Sequence, residues 1–132
     1  MFKWKRTLKQ TTMIALFSAL TFSTTITHAS ENKVYQTGKI SYYSYECKNK
    51  FTASGERFNP DALTAAHRKL PFGTMIKVTN LNNGESVSVK ITDRGPYSGN
   101  RILDLSVGAA KKIHMVSNGI VNASIEVMNK DS

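Results

Sequence analysis

The chain has 132 residues, and its 18 Lys and Arg against 9 Asp and Glu give a formal net charge of +9 at pH 7. Cys47 is the only cysteine, which excludes an intramolecular disulfide framework. The fold must therefore rest on packing, with Cys47 as a small buried hydrophobe or a free thiol. The positive charges form no run of five or more, so we expect no nucleic-acid partner. A basic excess does suit an anionic polymer such as a cell wall.

Residues 1–29 predict a cleavable secretory signal. Four positive charges and no acid precede an apolar stretch at 13–22, and the segment ends in Thr-His-Ala. The apolar stretch is about half the ~20 residues that a membrane span needs, and no cysteine stands at the cleavage point to accept a lipid. We therefore expect cleavage after Ala29, export to the periplasm or beyond, no stable membrane anchor, and a monomer. Removing the four signal charges from +9 leaves a mature charge of +5.

The mature chain is short enough for one domain, which we place at residues 37–130 after a short flexible lead at 30–36. Residues 38–46 are rich in aromatic and β-favouring side chains and predict the first strand. Residues 52–73 hold four Gly or Pro breakers and predict a loop-like segment. Inside that segment, the sequence ALTAAH at 62–67 fits either a strand or a helical turn.

A β-hairpin is the firmest local prediction. Residues 74–81 and 85–93 alternate apolar and polar side chains, as half-buried strands do. Asn83 and Gly84 lie between them, and this pair accepts the positive φ angles of tight hairpin turns.

The C-terminal part predicts one helix and one strand. Ser106 can cap a short helix over 107–114, and residues 119–128 have the composition of a final strand. Many short strands with one small helix are typical of a small β-barrel or sandwich.

Four ionisable side chains could carry chemistry: Glu56, His67, Asp93 and Asp104. Each also has a structural interpretation. Glu56 fits a solvated loop acid, and His67 fits a hydrogen-bonded core histidine. Asp93 fits an anchor for the Asp-Arg-Gly-Pro turn, because Asp side chains bond nearby backbone amides.

Asp104 stands between apolar Leu103 and Leu105, so we expect it to be buried and paired. Arg94 and Arg101 are the candidate partners, and a structural ion pair is the expected role.

We expect no metal and no cofactor. The possible ligands show no zinc-type C-x-x-C or H-x-x-x-H spacing, and no glycine loop is suited to cradling a phosphate.

The motifs together are more specific than any one residue. In chain order they are TASGE (52–56), LTAAH (63–67), LPFGT (70–74), DRGP (93–96) and DLS (104–106). Their order and spacing resemble the rare lipoprotein A (RlpA-like) family of bacterial cell-wall proteins, over nearly the whole mature chain. The resemblance implies an all-β fold: a six-stranded double-psi β-barrel with one or two short helices.

The resemblance also implies a lytic transglycosylase whose partner is the glycan strand of peptidoglycan. Such an enzyme cuts between N-acetylmuramic acid and N-acetylglucosamine without water, because the muramoyl 6-hydroxyl attacks its own anomeric carbon. One carboxyl group can then make both proton transfers, while a second carboxylate stabilises the transition state.

By motif position, the expected catalytic residues are Glu56, His67 and Asp93. We predict Glu56 as the acid, with His67 orienting it or sharing its proton. Asp93 suits an anionic stabiliser and remains the alternative acid. The expected substrate-binding or supporting residues are Asp104, Arg94, Asn59, Thr52 and Ser54.

Asn59 departs from the family pattern, because many members carry an acid there. An amide cannot serve as an acid catalyst, which favours an alternative function: a non-catalytic, expansin-like module that binds wall polysaccharide. A secreted inhibitor or effector is a third hypothesis.

Overall fold

The computed structural model describes residue 21 and residues 33–128, so the predicted signal and its cleavage point lie outside the described residues. Within these residues, six strands and one α-helix follow each other in this order: β1 (Val34–Tyr42), β2 (Thr64–Ala66), β3 (Met75–Asn80), β4 (Ser86–Asp93), β5 (Arg101–Leu105), α1 (Val107–Lys112) and β6 (Val121–Val127). A 3-10 turn lies at Tyr45–Cys47. Within the described residues, no helix combines the length and apolarity needed to cross a membrane.

The strands close into a barrel in the order β1-β5-β2-β4-β3-β6. Two neighbouring pairs, β1–β5 and β2–β4, are parallel, and the other four pairs are antiparallel. This mixed six-stranded barrel confirms the all-β fold class and is consistent with a double-psi barrel. Among the described strands, closure also leaves no long sheet edge for another chain to pair with.

Alternation places the apolar side chains of the hairpin in the barrel interior. In β3, Ile76 and Val78 are buried, and in β4, Val87, Val89 and Ile91 are buried. The turn between the strands contains Gly84 at φ +77, as the sequence predicts. The hairpin prediction is therefore confirmed, because its register depends only on local alternation and turn chemistry.

The first strand begins at Val34, inside the predicted flexible lead, and ends at Tyr42. Its early residues are ordered by β6, since Val34 pairs with Glu126 across an antiparallel ladder. Local composition could not show this pairing, because the partner strand lies about ninety residues away in the chain. The ALTAAH segment forms the short strand β2 between β4 and β5, not a helical turn.

The helix α1 begins where predicted and ends two residues early. The Ser106 hydroxyl accepts a hydrogen bond from the Ala109 amide at 3.2 Å, which satisfies one free donor of the first turn. His114 adopts φ +50, so the helical geometry cannot continue through it.

Gly108 in α1 is expected to resist replacement by alanine. Its amide donates to the Pro60 carbonyl at 2.8 Å, and a Cβ there would lie 2.6 Å from the Asp61 carbonyl oxygen. Alanine gains about 1 kcal/mol of helix propensity over glycine, but overpacking against backbone costs about 1–3 kcal/mol. Gly108→Ala should therefore lower the free energy of unfolding in urea titrations by up to about 2 kcal/mol. Lys112→Ala, exposed on the same helix, is the control; equal stability of both variants would contradict the packing argument.

Candidate functional site

Two carboxylates lie on the strands on either side of β2. Ala66 pairs with Asp93 of β4 on one side and with Asp104 of β5 on the other. Ser41 of β1 continues the row, because it pairs with Asp104. Two strand spacings of ~4.8 Å put the backbones of the two acids about 10 Å apart. The sequence motifs DRGP and DLS therefore meet through the barrel topology.

Three hydrogen-bond donors hold the carboxylate of Asp93 in place. Its Oδ1 accepts from the Ala53 amide at 2.9 Å and from the Arg94 amide at 2.8 Å. Its Oδ2 accepts from the Tyr43 hydroxyl at 3.0 Å. A carboxylate surrounded only by donors is held as an acceptor with a fixed orientation.

The TASGE loop is folded onto the strand that carries Asp93. The Thr52 amide donates to the Glu56 carbonyl at 2.8 Å, and the Thr52 and Ser54 hydroxyls share a hydrogen bond of 2.8 Å. The Ser54 amide donates to the Thr92 carbonyl at 3.1 Å. Gly55 has φ +87, a conformation that favours glycine and lets the loop turn back. Thr52 and Ser54 thus support the loop that presents Glu56.

Glu56 projects from this loop into solvent, with 54 % of its side chain exposed. Its Oε1 lies 3.2 Å from the Nζ of Lys90, a residue of β4. Among the described residues, no donor bonds its second oxygen, Oε2. Glu56 is therefore the accessible carboxyl group of a loop whose Ala53 amide bonds the Asp93 carboxylate.

His67 is 3 % exposed, and both of its ring nitrogens have partners. Nδ1 accepts from the amides of Lys69 and Leu70, each at 3.0 Å, so Nε2 carries the proton and donates to Oε1 of Gln36 at 3.0 Å. Neither ring nitrogen bonds Glu56. The His67 backbone amide donates to the Asp93 carbonyl at 3.2 Å, which joins the end of β2 to the end of β4.

Burial lowers the pKa of His67, and the positive charges of Arg94, Arg68 and Lys69 lower it further. The imidazole is therefore neutral at pH 7, in agreement with its Nδ1 acting as an acceptor.

The two arginines near the carboxylates have separate roles. Arg101 lies 3.3 Å from Oδ1 of Asp104, so it is the partner of that acid. The same oxygen accepts from the Ser41 hydroxyl at 2.6 Å, and Arg101 also donates to Ser41. Only 13 % of the Asp104 side chain is exposed, which agrees with the expected burial.

Arg94 stabilises the LPFGT turn. Its guanidinium donates to the His67 carbonyl at 3.3 Å and the Leu70 carbonyl at 2.9 Å, and it lies 3.9 Å from the centre of the Phe72 ring. Its contact with Asp93 is made by the backbone amide, not by the charge.

Tyr43 is a site residue that the sequence reasoning missed. It stands directly after β1 and touches Asp93, whereas the hydroxyl of its neighbour Tyr42 donates to the Val116 carbonyl at 2.9 Å. Alternation along a strand predicts that two adjacent tyrosines face opposite ways, but not which of them meets a carboxylate fifty residues away.

A family model described as lytic transglycolase matches residues 35–125, which include all of the site described above. The chain belongs to this family. The RlpA resemblance is therefore confirmed.

Named relatives of the chain are longer than it is. It is 48% identical over 118 residues to a probable endolytic peptidoglycan transglycosylase RlpA of Synechocystis sp., covering 88% of this chain and 37% of that protein. It is 48% identical over 91 residues to the endolytic peptidoglycan transglycosylase RlpA of Campylobacter jejuni, covering 69% of this chain and 33% of that protein. The chain thus spans about a third of the length of these relatives.

A solved structure shares the fold at low identity. The apo expansin of Clavibacter michiganensis matches with a TM-score of 0.58 and 21% identity, covering 73% of this chain and 51% of that one. At this identity the likeness concerns the fold alone.

Within this lytic transglycolase domain, Asn59 has a local structural role. Its Oδ1 accepts from the Asp61 amide at 3.0 Å, and its carbonyl accepts from the Ala62 amide at 3.1 Å. The side chain thus closes the turn that leads to β2, as Asn commonly does. Asp61 is exposed, and its backbone carbonyl lies against Gly108 of α1.

The buried neutral His67 should make folding sensitive to pH. In the unfolded chain histidine has its ordinary pKa of about 6.5, and in the folded protein the pKa is lower. The unfolded state therefore binds more protons below pH 6.5, so this contribution to stability is fully present above that pH and is lost as the pH falls towards the folded-state pKa. His67→Gln should reduce the drop in urea midpoint between pH 7.5 and pH 5. An identical drop in parent and variant would contradict this, since His114 is present in both.

Proposed function

We propose that the chain is exported and acts as a monomeric peptidoglycan lytic transglycosylase in cell-wall remodelling. It would cut the bond between N-acetylmuramic acid and N-acetylglucosamine and leave a 1,6-anhydro end. Membership of the lytic transglycolase family supports this. The main structural support for this activity is the accessible carboxyl group of Glu56, which lies on a loop that is hydrogen-bonded to the carboxylate of Asp93.

In the proposed reaction, Glu56 gives its proton to the glycosidic oxygen as the bond between that oxygen and the muramoyl C1 breaks. The muramoyl 6-hydroxyl then bonds to C1, and its proton passes to the Glu56 carboxylate, which restores the starting state. No water is consumed. Asp93, held as an acceptor by three donors, stabilises the positive charge that develops on the sugar ring.

In this proposal, the remaining predicted residues hold parts of the site in place and take no part in the proton transfers. The ring of His67 is bound to Gln36 and to the amides of Lys69 and Leu70, so we assign it to fixing the end of β4 and not to orienting Glu56. The ion pair between Asp104 and Arg101 stabilises β5, the strand next to β2.

A second candidate is a wall-binding module without catalytic activity. It is favoured by Asn59, an amide that serves as a turn residue.

Mass spectrometry of purified wall sacculi incubated with the mature domain tests the choice. Anhydromuramoyl ends that rise with time would support the enzyme, with a preparation of Asp93→Asn as the control. Sacculi that sediment with the protein and stay intact would support the binder.

N-terminal sequencing of the exported protein tests the export proposal: we expect Ser30 as the first residue, and a chain retaining residues 1–29 would contradict it.

A further inference from the structure

Tyr43 links the two strands that carry the carboxylates. Its backbone amide donates to the carbonyl of Leu105, the last residue of β5, at 2.8 Å. Its hydroxyl reaches across to Oδ2 of Asp93 at the end of β4, at 3.0 Å. One residue thus fixes Asp93 relative to the strand of Asp104.

The ring of Tyr43 is held in place by packing. It meets the ring of Phe58 edge to face, with centroids 5.1 Å apart and an interplanar angle of 61°. Phe58 is itself only 6 % exposed, and its backbone is bonded to Asn49 and Lys50. The hydroxyl therefore meets Asp93 from a fixed direction.

The hydroxyl is a permanent donor. Burial raises the pKa of Tyr43 far above its ordinary value, and the charge and hydrogen bond of Asp93 raise it further, followed by the charges of Asp104 and Cys47. The phenol thus keeps its proton throughout the pH range in which a carboxylate titrates.

The two oxygens of Asp93 are not equivalent. Oδ1 is occupied by two backbone amides, whereas Oδ2 accepts only the Tyr43 hydroxyl among the described residues. Asp93 lines a recess of about 130 Å³ that Tyr43, Cys47 and Thr52 also line. Oδ2 therefore has the remaining capacity to meet a bound sugar, and Tyr43 sets its direction.

Tyr43 also lines two depressions: the recess beside Asp93 and a larger groove of about 750 Å³ beside Arg101 and Ser41. A chain-like ligand that filled both would contact Tyr43.

We infer that Tyr43 is a positioning residue of the site, which holds Oδ2 of Asp93 towards the reacting sugar. The inference rests on the proposed function. In this inference Tyr43 orients Asp93 and does not itself transfer a proton to or from the substrate.

Tyr43→Phe tests the inference because it keeps the ring and removes only the hydroxyl. We expect kcat to fall by about 10- to 100-fold with KM within about threefold, because misorienting a charge-stabilising group affects the transition state most. In the matched control Tyr42→Phe, which loses a hydroxyl bonded to a backbone carbonyl, both kcat and KM should stay within about threefold of the parent.

A measurement without substrate separates this inference from the proposed function. At pH 7 the ¹³Cζ resonance of Tyr43, measured by NMR, should shift in Asp93→Asn, because the hydroxyl loses its carboxylate acceptor. A parent protein that releases no anhydro ends would overturn the proposed function, while this shift would still decide whether the Tyr43 hydroxyl bonds Asp93. Parental kcat in folded Tyr43→Phe, or a Tyr43 resonance that stays unchanged in Asp93→Asn, would overturn the inference.

Discussion

Glu56→Gln is expected to lower the release of anhydromuramoyl ends from sacculi by about 10²- to 10⁴-fold, the usual loss when a general acid is removed. The amide keeps the size of the side chain but can neither give a proton to the leaving oxygen nor take one from the 6-hydroxyl. Glu56 pairs with Lys90 at the surface, so the fold should be almost unaffected. Initial rates measured by mass spectrometry of the products, alongside a urea titration of each protein, give both quantities.

Glu85→Gln is the matched control for Glu56→Gln. Glu85 is also an exposed acid paired with a basic side chain, His114, but it lies at the turn of the β3–β4 hairpin. It should retain parental activity. Asp93→Asn is measured alongside, because loss of activity in this variant but not in Glu56→Gln would assign the acid role to Asp93. Full activity in a folded Glu56→Gln protein would exclude Glu56 as the acid.

The sequence was sufficient for the elements that depend on local pattern. The hairpin of β3 and β4 and the Ser106 cap of α1 follow from alternation, turn chemistry and a side-chain acceptor next to free amides. The start of β1 was missed because it depends on pairing with β6, which no local signal reports.

In the site, too, contacts between residues close in sequence could be predicted, whereas contacts between distant residues could not. The pairing of Asp104 with Arg101 involves near neighbours, and sequence reasoning had named Arg101 as one of two candidate partners. The partner of His67 is Gln36, thirty-one residues away, so the orientation of the imidazole could not be read from its motif. Tyr43 was missed for the same reason, since Asp93 is fifty residues distant.

Asp104→Ala is expected to lower the free energy of unfolding by about 2–4 kcal/mol. Removing one member of a buried ion pair costs about 3–5 kcal/mol, and 27 % exposure of Arg101 lets water recover part of that loss. The Ser41 hydroxyl also loses its acceptor. Urea titration at pH 7 measures the change, and Glu56→Gln, which breaks an exposed pair, should lose no more than about 1 kcal/mol.

A double variant shows whether the loss comes from the pair itself. In Arg101→Gln/Asp104→Asn both charges are absent, so no unpaired charge remains beside Ser41. The double variant should therefore be more stable than the summed losses of Arg101→Gln and Asp104→Asn imply, because residues in direct contact do not act additively. Strict additivity would mean that Arg101 and Asp104 stabilise the barrel independently. Unchanged unfolding of Asp104→Ala with loss of activity would instead place Asp104 in the chemistry.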